Sequence, residues 1–193
     1  MMDIADLSNK SSRWDGLNSP PFIDNNTHAI LVNVETPEQR EKGSTSPYNK
    51  GEVDAIKIVL YALTKAAGFK EYFDSLKKEE DKEIGIITYY MGQMQKIKKS
   101  IYPTLTTANE WRNFEQHKYK NEFQLPFRID TVDRFQGMER NIIIISTVRS
   151  DKEMKNGKET PNNKYPFALG FAREIQRVNV GFSRAKRLLI VIG

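Results

Sequence analysis

Two arginines near the end of the chain have the type and spacing that phosphate chemistry requires. Arg177 and Arg184 are seven residues apart, in a stretch whose pattern predicts a helix over residues 174–186. Seven residues make two helical turns, so we expect both guanidinium groups on one face, about 10 Å apart along the axis. Such permanently charged, fork-shaped donors suit a chain of phosphates. Gly181, on nearly the same face, would let a ligand or a backbone come close. A solvated basic face with surface ion pairs is the alternative reading.

A polar loop precedes the most apolar run of the sequence, the four isoleucines Ile142–Ile145. Consecutive isoleucines predict a central strand, and open α/β folds bind ligands where polar loops meet the ends of such strands. In this loop Gln136 and Glu139 offer directional hydrogen bonds, Gly137 allows a tight turn, and Thr131 can donate to a phosphate oxygen.

Each loop residue also has a purely structural reading. Asp133 could cap the following turn, and Gly137 could only reverse the chain. Glu139 could form an ion pair with Arg140 or with Arg149.

Short apolar strands and amphipathic helices alternate along the chain. A capping box at Asn49 and Glu52 predicts a helix start, and a second helix should turn Met91 toward the core. We therefore predict an α/β fold with a parallel sheet covered by helices on both faces. Strands are expected at residues 29–34, 84–88, 127–129, 142–147 and 188–192, loops at 36–50 and 151–164, a charged insertion at 70–82, and a linker or arm at 1–27.

Composition sets limits on function. The net charge is +5 and the sequence pI is about 9.2, which favours polyanionic partners, although a lysine-rich surface alone would give the same values. Cysteine is absent, and His28 and His117 lack metal-ligand spacing, so we expect no metal site. No apolar run approaches the ~20 residues of a membrane span and no signal peptide opens the chain, so we expect a cytoplasmic protein without a membrane partner.

Three segments together resemble the signature motifs of superfamily 1 helicases. Ile84–Gln93 resembles motif IV, Thr131–Glu139 resembles motif V, and Arg177–Lys186 resembles motif VI. The set is most similar to the branch of the nonsense-mediated-decay and Okazaki-fragment-processing helicases, over residues 29–193. The sequence departs from the pattern at four places: proline is usual at Tyr89, a small residue at Arg134, Ala-Leu-Thr at Gly181–Ser183, and arginine at Lys50.

The resemblance implies a RecA-like three-layer sandwich with a mainly parallel sheet, formed by residues 28–193 as the second motor domain. It also implies roles for individual residues. Arg184 would be the arginine finger for ATP hydrolysis, supported by Arg177. The other implied nucleotide contacts are Glu139, Gly137, Gln136, Lys50, Tyr90 and Gln93, and Thr131 and Thr88 would contact the nucleic-acid backbone.

The sequence contains no G-x-x-x-x-G-K-[ST] phosphate loop, so this would be a P-loop NTPase fold lacking its own P-loop. The implied cofactor is ATP with Mg²⁺, the metal being held by a first RecA-like domain. The implied partners are that domain and single-stranded nucleic acid, with DNA favoured over RNA. Two alternatives stay open: a non-catalytic RecA-like nucleic-acid-binding or scaffold module, and an unrelated doubly wound protein whose basic helix binds a nucleotide alone.

Overall fold

A parallel six-stranded sheet organises the protein in the computed structural model, which describes residues 2–3, 28–66, 68–104, 121–163 and 175–193. The strands are β1 (Met2–Asp3), β2 (Ala29–Asn33), β3 (Gln39–Arg40), β4 (Pro47–Tyr48), β5 (Ile84–Thr88), β6 (Phe127–Thr131), β7 (Arg140–Ser146), β8 (Lys152–Lys155), β9 (Lys158–Pro161) and β10 (Ala185–Ile192). The helices are α1 (Lys50–Lys65), α2 (Phe69–Ser75), α3 (Glu79–Lys82), α4 (Met91–Ile101) and α5 (Ile175–Phe182), with a 3₁₀ turn at Val132–Phe135. The sheet order is β1-β2-β10-β7-β5-β6, and β3–β4 and β8–β9 form separate two-stranded sheets.

Strand β7 lies at the centre of this sheet and is covered on both faces. Successive side chains of a strand point to opposite faces, so an unbroken isoleucine run needs two apolar layers. Ile142 and Ile144 pack in the layer that contains α1 and α4. Ile143 and Ile145 pack in the other layer, against α5 and the 3₁₀ turn. The predicted α/β three-layer architecture with a parallel sheet is therefore confirmed, and its strands are all parallel.

Helix α1 begins where its capping residue predicts. The Asn49 side chain accepts a hydrogen bond from the Glu52 backbone N–H at 3.2 Å, which satisfies one of the unpaired donors of the first turn. Beyond this cap, residues at helical spacing form the buried face, namely Val53, Ile56, Val59, Leu60 and Leu63. The helix ends at Lys65, and Gly68 then reverses the chain with φ 74°.

The prediction of an exposed loop at residues 151–164 was wrong. Strands β8 and β9 form an antiparallel hairpin there, with Lys155 opposite Lys158. Asn156 and Gly157 occupy the turn with φ values of 51° and 76°, as a two-residue hairpin turn requires. An Asn-Gly pair favours a hairpin turn, but the many charged residues around it are typical of an exposed loop, and the prediction followed them. The loop predicted at 36–50 likewise contains the short pair β3–β4.

The last helix is shorter than predicted, because α5 ends at Phe182 and β10 begins at Ala185. The Arg184 carbonyl accepts a hydrogen bond from the Arg140 N–H at 3.0 Å, which draws the chain out of the helix and into the sheet. Arg177 and Arg184 therefore do not share a helical face. Met91, expected in the core, is 41% exposed.

Two regions without a clear sequence pattern are described only in part. Within residues 1–27, Met2 and Asp3 pair in parallel with Val32 and Asn33, so two residues of the predicted arm join the sheet. The rest of that arm lies outside the described residues, as do Trp111, Phe114 and Tyr119. In the described part of the chain, no helix has the length and apolar content that crossing a bilayer demands.

The central position of β7 gives a direct stability prediction. Ile144→Ala should lower the free energy of unfolding by about 2–5 kcal/mol, because it leaves a cavity in a fully buried layer. Leu31→Ala on β2 is the control, since Leu31 is 45% exposed, and we expect it to cost less than about 1 kcal/mol. Urea unfolding of both variants makes the comparison, and equal losses would contradict a two-sided burial of β7.

Candidate functional site

The motif V loop and the end of α5 meet at the amino ends of two neighbouring strands. The hydrogen bond from Arg140 to the Arg184 carbonyl joins the first residues of β7 and β10. Glu139 directly precedes Arg140, so Glu139 and Arg184 are backbone neighbours although 45 residues separate them in sequence. The backbone therefore brings these two residues to the same edge of the sheet.

The Arg184 side chain is half-buried and is held by neutral acceptors. Its Nε donates to the Val180 carbonyl at 2.9 Å and its Nη2 donates to Ser183 Oγ at 2.9 Å. No carboxylate within the described ranges forms an ion pair with Arg184. A guanidinium oriented by neutral oxygens keeps both its charge and its remaining donors for an anion.

Glu139 does not form the ion pair with Arg140 or Arg149 that would have given it a purely structural role. Arg140 donates from Nε to the Glu83 carboxylate at 2.8 Å. Its Nη1 donates to the backbone carbonyl of Glu139 and not to the Glu139 carboxylate. Arg149 places its Nε 2.9 Å from the buried carboxylate of Glu38. Glu139 itself is exposed beside the amino end of β7.

Gly137 has a backbone reason to be glycine. Its φ is 80°, in the left-handed region that disfavours a side chain, and an added Cβ would meet no atom within 4 Å. The turn it makes leaves Gln136 exposed and returns the chain to β7. The predicted tight turn is therefore confirmed, while Gln136 has a surface position open to a partner.

Arg177 and Gly181 connect α5 to the rest of the protein. The Nε of Arg177 lies 3.5 Å from Oδ1 of Asp133, which ties the helix to the 3₁₀ turn. A Cβ on Gly181 would lie 3.3 Å from Ile145 Cδ1 and 3.5 Å from the Tyr89 hydroxyl. The close approach at Gly181 is made by the Ile145 and Tyr89 side chains.

A second group of predicted residues lies at the carboxyl ends of the strands. Lys50 is the exposed first residue of α1, directly after its cap. Tyr90 is buried immediately before α4, with the Arg149 guanidinium 6.0 Å from its ring centre. Thr88 and Thr131 are paired neighbours at the ends of β5 and β6. Thr88 is fully buried and Thr131 half-buried, so the expected strand contact by Thr88 is corrected to an interior position.

Gln93 is a positioning residue in this structure and not a surface contact. Its Oε1 accepts from the Asn49 N–H at 2.8 Å, and its Nε2 donates to Ser146 Oγ at 2.8 Å and to the Asn49 carbonyl at 3.2 Å. The side chain is fully buried. The prediction of direct nucleotide contact by Gln93 is therefore corrected, because its amide joins the start of α1 to the end of β7.

The predicted site residues thus form two groups at opposite ends of β7. Glu139 and Arg184 lie at its amino end. Lys50 lies near its carboxyl end, because it directly follows Asn49, which Gln93 connects to Ser146. A seven-residue strand spans about 20 Å. Any ligand that contacted both groups would have to extend along a face of the sheet.

A buried carboxyl group at the carboxyl end was missed by the sequence analysis. Glu52, expected only in the capping box, turns its side chain inward, where Ser146 Oγ donates to Oε2 at 2.5 Å and the Val148 N–H donates to Oε1 at 2.8 Å. Burial raises the pKa of Glu52 to about 8, against the opposing effect of these hydrogen bonds. Val148, held at φ 75°, presents its N–H to this group from an unusual backbone conformation for a β-branched residue.

Among the residues with described positions, no group of three or more His, Asp or Glu side chains is placed to hold a metal ion. The arrangement at the amino end offers fixed positive charge, exposed polar groups and a glycine turn. Those features suit binding of an anionic ligand.

Comparison with known protein families matches nearly the whole chain to one of them. The sequence model of the AAA domain family matches residues 4–193. This chain belongs to that family, and its relatives are superfamily 1 helicases. The expectation drawn from motifs IV, V and VI is confirmed at this level.

The relatives of this helicase-family domain carry names that refer to both kinds of nucleic acid. The chain is 33% identical over 156 residues to "Putative helicase MOV-10" of Gallus gallus, and the aligned segment makes up 81% of the chain and 14% of that relative. It is 29% identical over 150 residues to "DNA polymerase alpha-associated DNA helicase A" of Saccharomyces cerevisiae, covering 77% and 16%. It is 29% identical over 164 residues to "RNA helicase Mov10l1" of Homo sapiens, covering 85% and 11%. The chain therefore spans less than a fifth of the length of these helicases.

The buried Glu52 predicts an unusual pH dependence of stability. Its pKa of about 8 exceeds the ordinary 4.5, so between these values the folded state binds a proton that the unfolded state lacks. Stability should therefore fall as pH rises through this window, with a contribution of up to about 1.4 kcal/mol per pH unit, and the fall should level off above pH 8.

Glu52→Gln removes the titration while keeping the size of the side chain. We expect its free energy of unfolding, measured by urea titration from about pH 5 to pH 8, to lack this decline. Glu71→Gln, at an exposed position on α2, is the control and should keep the decline of the unchanged chain. Parallel curves for the Glu52→Gln and Glu71→Gln variants would refute a protonated Glu52.

Proposed function

We propose that this chain is the second motor domain of an ATP-dependent nucleic-acid helicase, in which Arg184 is the arginine finger. The observation that carries the proposal is the hydrogen bond from the Arg140 N–H to the Arg184 carbonyl, which brings the backbones of Arg184 and Glu139 together at the amino ends of β10 and β7. Arg184 combines a fixed position, partial exposure and the absence of an ion pair within the described structure. These are the properties of a group that stabilises charge on a phosphoryl group supplied from outside the domain.

The residues present fit one part of an ATP site and leave the other part to a partner. The charge of Arg184 suits the terminal phosphate, the exposed Glu139 can accept hydrogen bonds from a ribose, and Gly137 makes the turn in the loop that precedes Glu139. Lys50 lies at the opposite end of β7 and is not part of this half of the site in our proposal. ATP with Mg²⁺ is the proposed cofactor, with the phosphate loop and metal ligands supplied by a first RecA-like domain.

Arg177 has a supporting part in this proposal. Its ion pair with Asp133 holds α5 against the motif V loop, which fixes the segment that delivers Arg184. Gln93 would have a positioning part at the carboxyl end of β7. Its amide holds the backbone of Asn49, and this fixes the first turn of α1 and thereby Lys50.

The proposed partner strand is single-stranded nucleic acid. The net charge of +5 and the helicase relatives support a polyanionic partner. DNA is the preferred substrate in our proposal, although the relatives include proteins named as DNA helicases and as RNA helicases.

The test uses a protein in which this chain is joined to a P-loop-containing first motor domain. Arg184→Ala should reduce its strand-stimulated ATP turnover by about 10³-fold or more, while binding of single strand is largely kept. Arg187→Ala is the matched control, because Arg187 is an exposed arginine on β10 that lies over the Tyr72 ring and not beside Glu139.

The chain alone should show negligible ATP turnover, since its sequence has no phosphate loop. Robust turnover by the separate chain would contradict the proposal of a shared active site. Full turnover by the joined Arg184→Ala variant would instead favour the non-catalytic module.

A further inference from the structure

We propose that Glu83 is a positioning residue of the ATP site, which acts through Arg140 to hold Glu139 and Arg184 in place. This inference rests on the proposed function and adds to it a residue that would not contact the nucleotide itself. Glu83 and Arg140 are 57 residues apart in the sequence, so no local pattern indicates the connection.

The Arg140 side chain is fixed by the Glu83 carboxylate. Its Nε donates to Glu83 Oε2 at 2.8 Å, and its Nη2 donates to the same oxygen. The side chains of Arg140 and Glu83 are only 11% and 18% exposed, so water competes little for either charge. Because two donors of one planar guanidinium converge on one oxygen, the orientation of the whole group is set.

Arg140 also reaches the backbone of both proposed site residues. With its plane set by Glu83, the guanidinium donates from Nη1 to the Glu139 carbonyl at 2.8 Å. The Arg140 backbone N–H donates to the Arg184 carbonyl at 3.0 Å. Arg140 therefore connects the residue proposed to bind the ribose with the proposed arginine finger.

Glu83 is itself held by the sheet. It directly precedes β5, whose first residue, Ile84, is 1% exposed and donates its N–H to the Pro126 carbonyl at 2.9 Å. Strand β5 pairs with β7, and β7 pairs with β10. The contacts of Glu83 and Arg140 therefore cross the amino ends of three neighbouring strands, from β5 to the residue before β10.

A second set of contacts attaches the same segment to β7 and β10. Asn141, the second residue of β7, donates from Nδ2 to the Asp81 carbonyl at 3.0 Å. Lys186, on β10, donates from Nζ to Asp81 Oδ1 at 3.1 Å. These contacts hold the end of α3 against the amino ends of both strands, which keeps Glu83 beside Arg140.

Both site residues need this anchorage because neither lies inside a helix or a strand. Glu139 follows the Gly137 turn, and Arg184 lies between the end of α5 and the start of β10. An arginine finger stabilises developing charge only from a fixed position, and a displacement of about 1 Å can cost roughly 10²-fold in rate. Glu83 should therefore affect ATP turnover although it lies outside the site.

The first experiment needs no nucleotide. Amide hydrogen exchange in the 193-residue chain is followed by NMR, with and without Glu83→Gln, which keeps the size of the side chain but removes its charge. We expect the Arg140 N–H to exchange about tenfold faster or more in the variant, because its bond to the Arg184 carbonyl opens more often. The Ile86 N–H, on the buried strand β5, should accelerate by a smaller factor and reports any general loss of stability.

Glu153→Gln is the matched control, because it removes a carboxylate of similar burial from another ion pair. The Glu153 side chain is 12% exposed and lies 2.6 Å from Lys155 Nζ and 3.7 Å from Arg40 Nη1. It stands on β8, which follows the carboxyl end of β7. This variant should leave the exchange of the Arg140 N–H within about twofold of the unchanged chain.

The second experiment measures ATP turnover in the protein in which this chain is joined to a P-loop-containing first motor domain. Glu83→Gln should lower the strand-stimulated kcat about tenfold, with a smaller change in the KM for ATP, well below the melting temperature of the variant. Glu153→Gln should leave kcat unchanged. In the Arg184→Ala background, Glu83→Gln should lower kcat by less than about twofold more, because the group that it positions is absent. Loss of structure alone would lower kcat by the same factor in both backgrounds.

The proposal is overturned if Glu83→Gln and Glu153→Gln have equal effects on the Arg140 exchange rate or on kcat. It is also overturned if Glu83→Gln lowers kcat by the same factor with and without Arg184. If Arg184→Ala abolishes turnover but Glu83→Gln does not reduce it, the positioning role fails and the proposed function stands. If Arg184→Ala keeps full turnover, the proposed function fails, and faster exchange at Arg140 would then leave Glu83 as a structural support only.

Discussion

Burial of β7 on both faces is the constraint on which the rest of the structure depends. Its isoleucine side chains have no polar atoms, so they require an apolar layer above and below. Its buried backbone N–H and C=O groups require hydrogen-bond partners, which β5 and β10 supply at its sides. Once that strand is fixed, the polar residues at its two ends are fixed as well. Glu139 must emerge at one end, and Ser146 must meet Glu52 at the other. The site is positioned by the rigidity of one strand.

Buried acidic and basic side chains are stabilised in two different ways in this structure. Glu52 can become neutral, and burial shifts its pKa in that direction, so it is accommodated in a network of hydroxyl and amide donors. Arginine stays charged, so Arg140, Arg149 and Arg177 are each set against a carboxylate. Arg184 differs from them because its acceptors are neutral oxygens. This contrast distinguishes a candidate catalytic arginine from structural ones better than sequence position does.

Local patterns predicted much of the fold and the reasons are physical. The Asn49 cap, the isoleucine run and the Gly137 turn each depend on contacts within a few residues, which a sequence displays directly. The β8–β9 hairpin carried an equally local signal at Asn156-Gly157, but charged residues obscured its strands. The end of α5 could not be predicted in this way, because a hydrogen bond from Arg140 ends it.

The sequence by itself determined the class of fold, the family, and which residue types stand at the ends of the strands. Only the tertiary structure decided that Gln93 is buried while Arg184 is held by neutral oxygens, and that Lys50 and Arg184 belong to opposite ends of β7. The reason is that these outcomes depend on which strands lie side by side. Partners such as Gln93 and Asn49, or Arg140 and Arg184, are 44 residues apart in the chain and meet only when the sheet has formed.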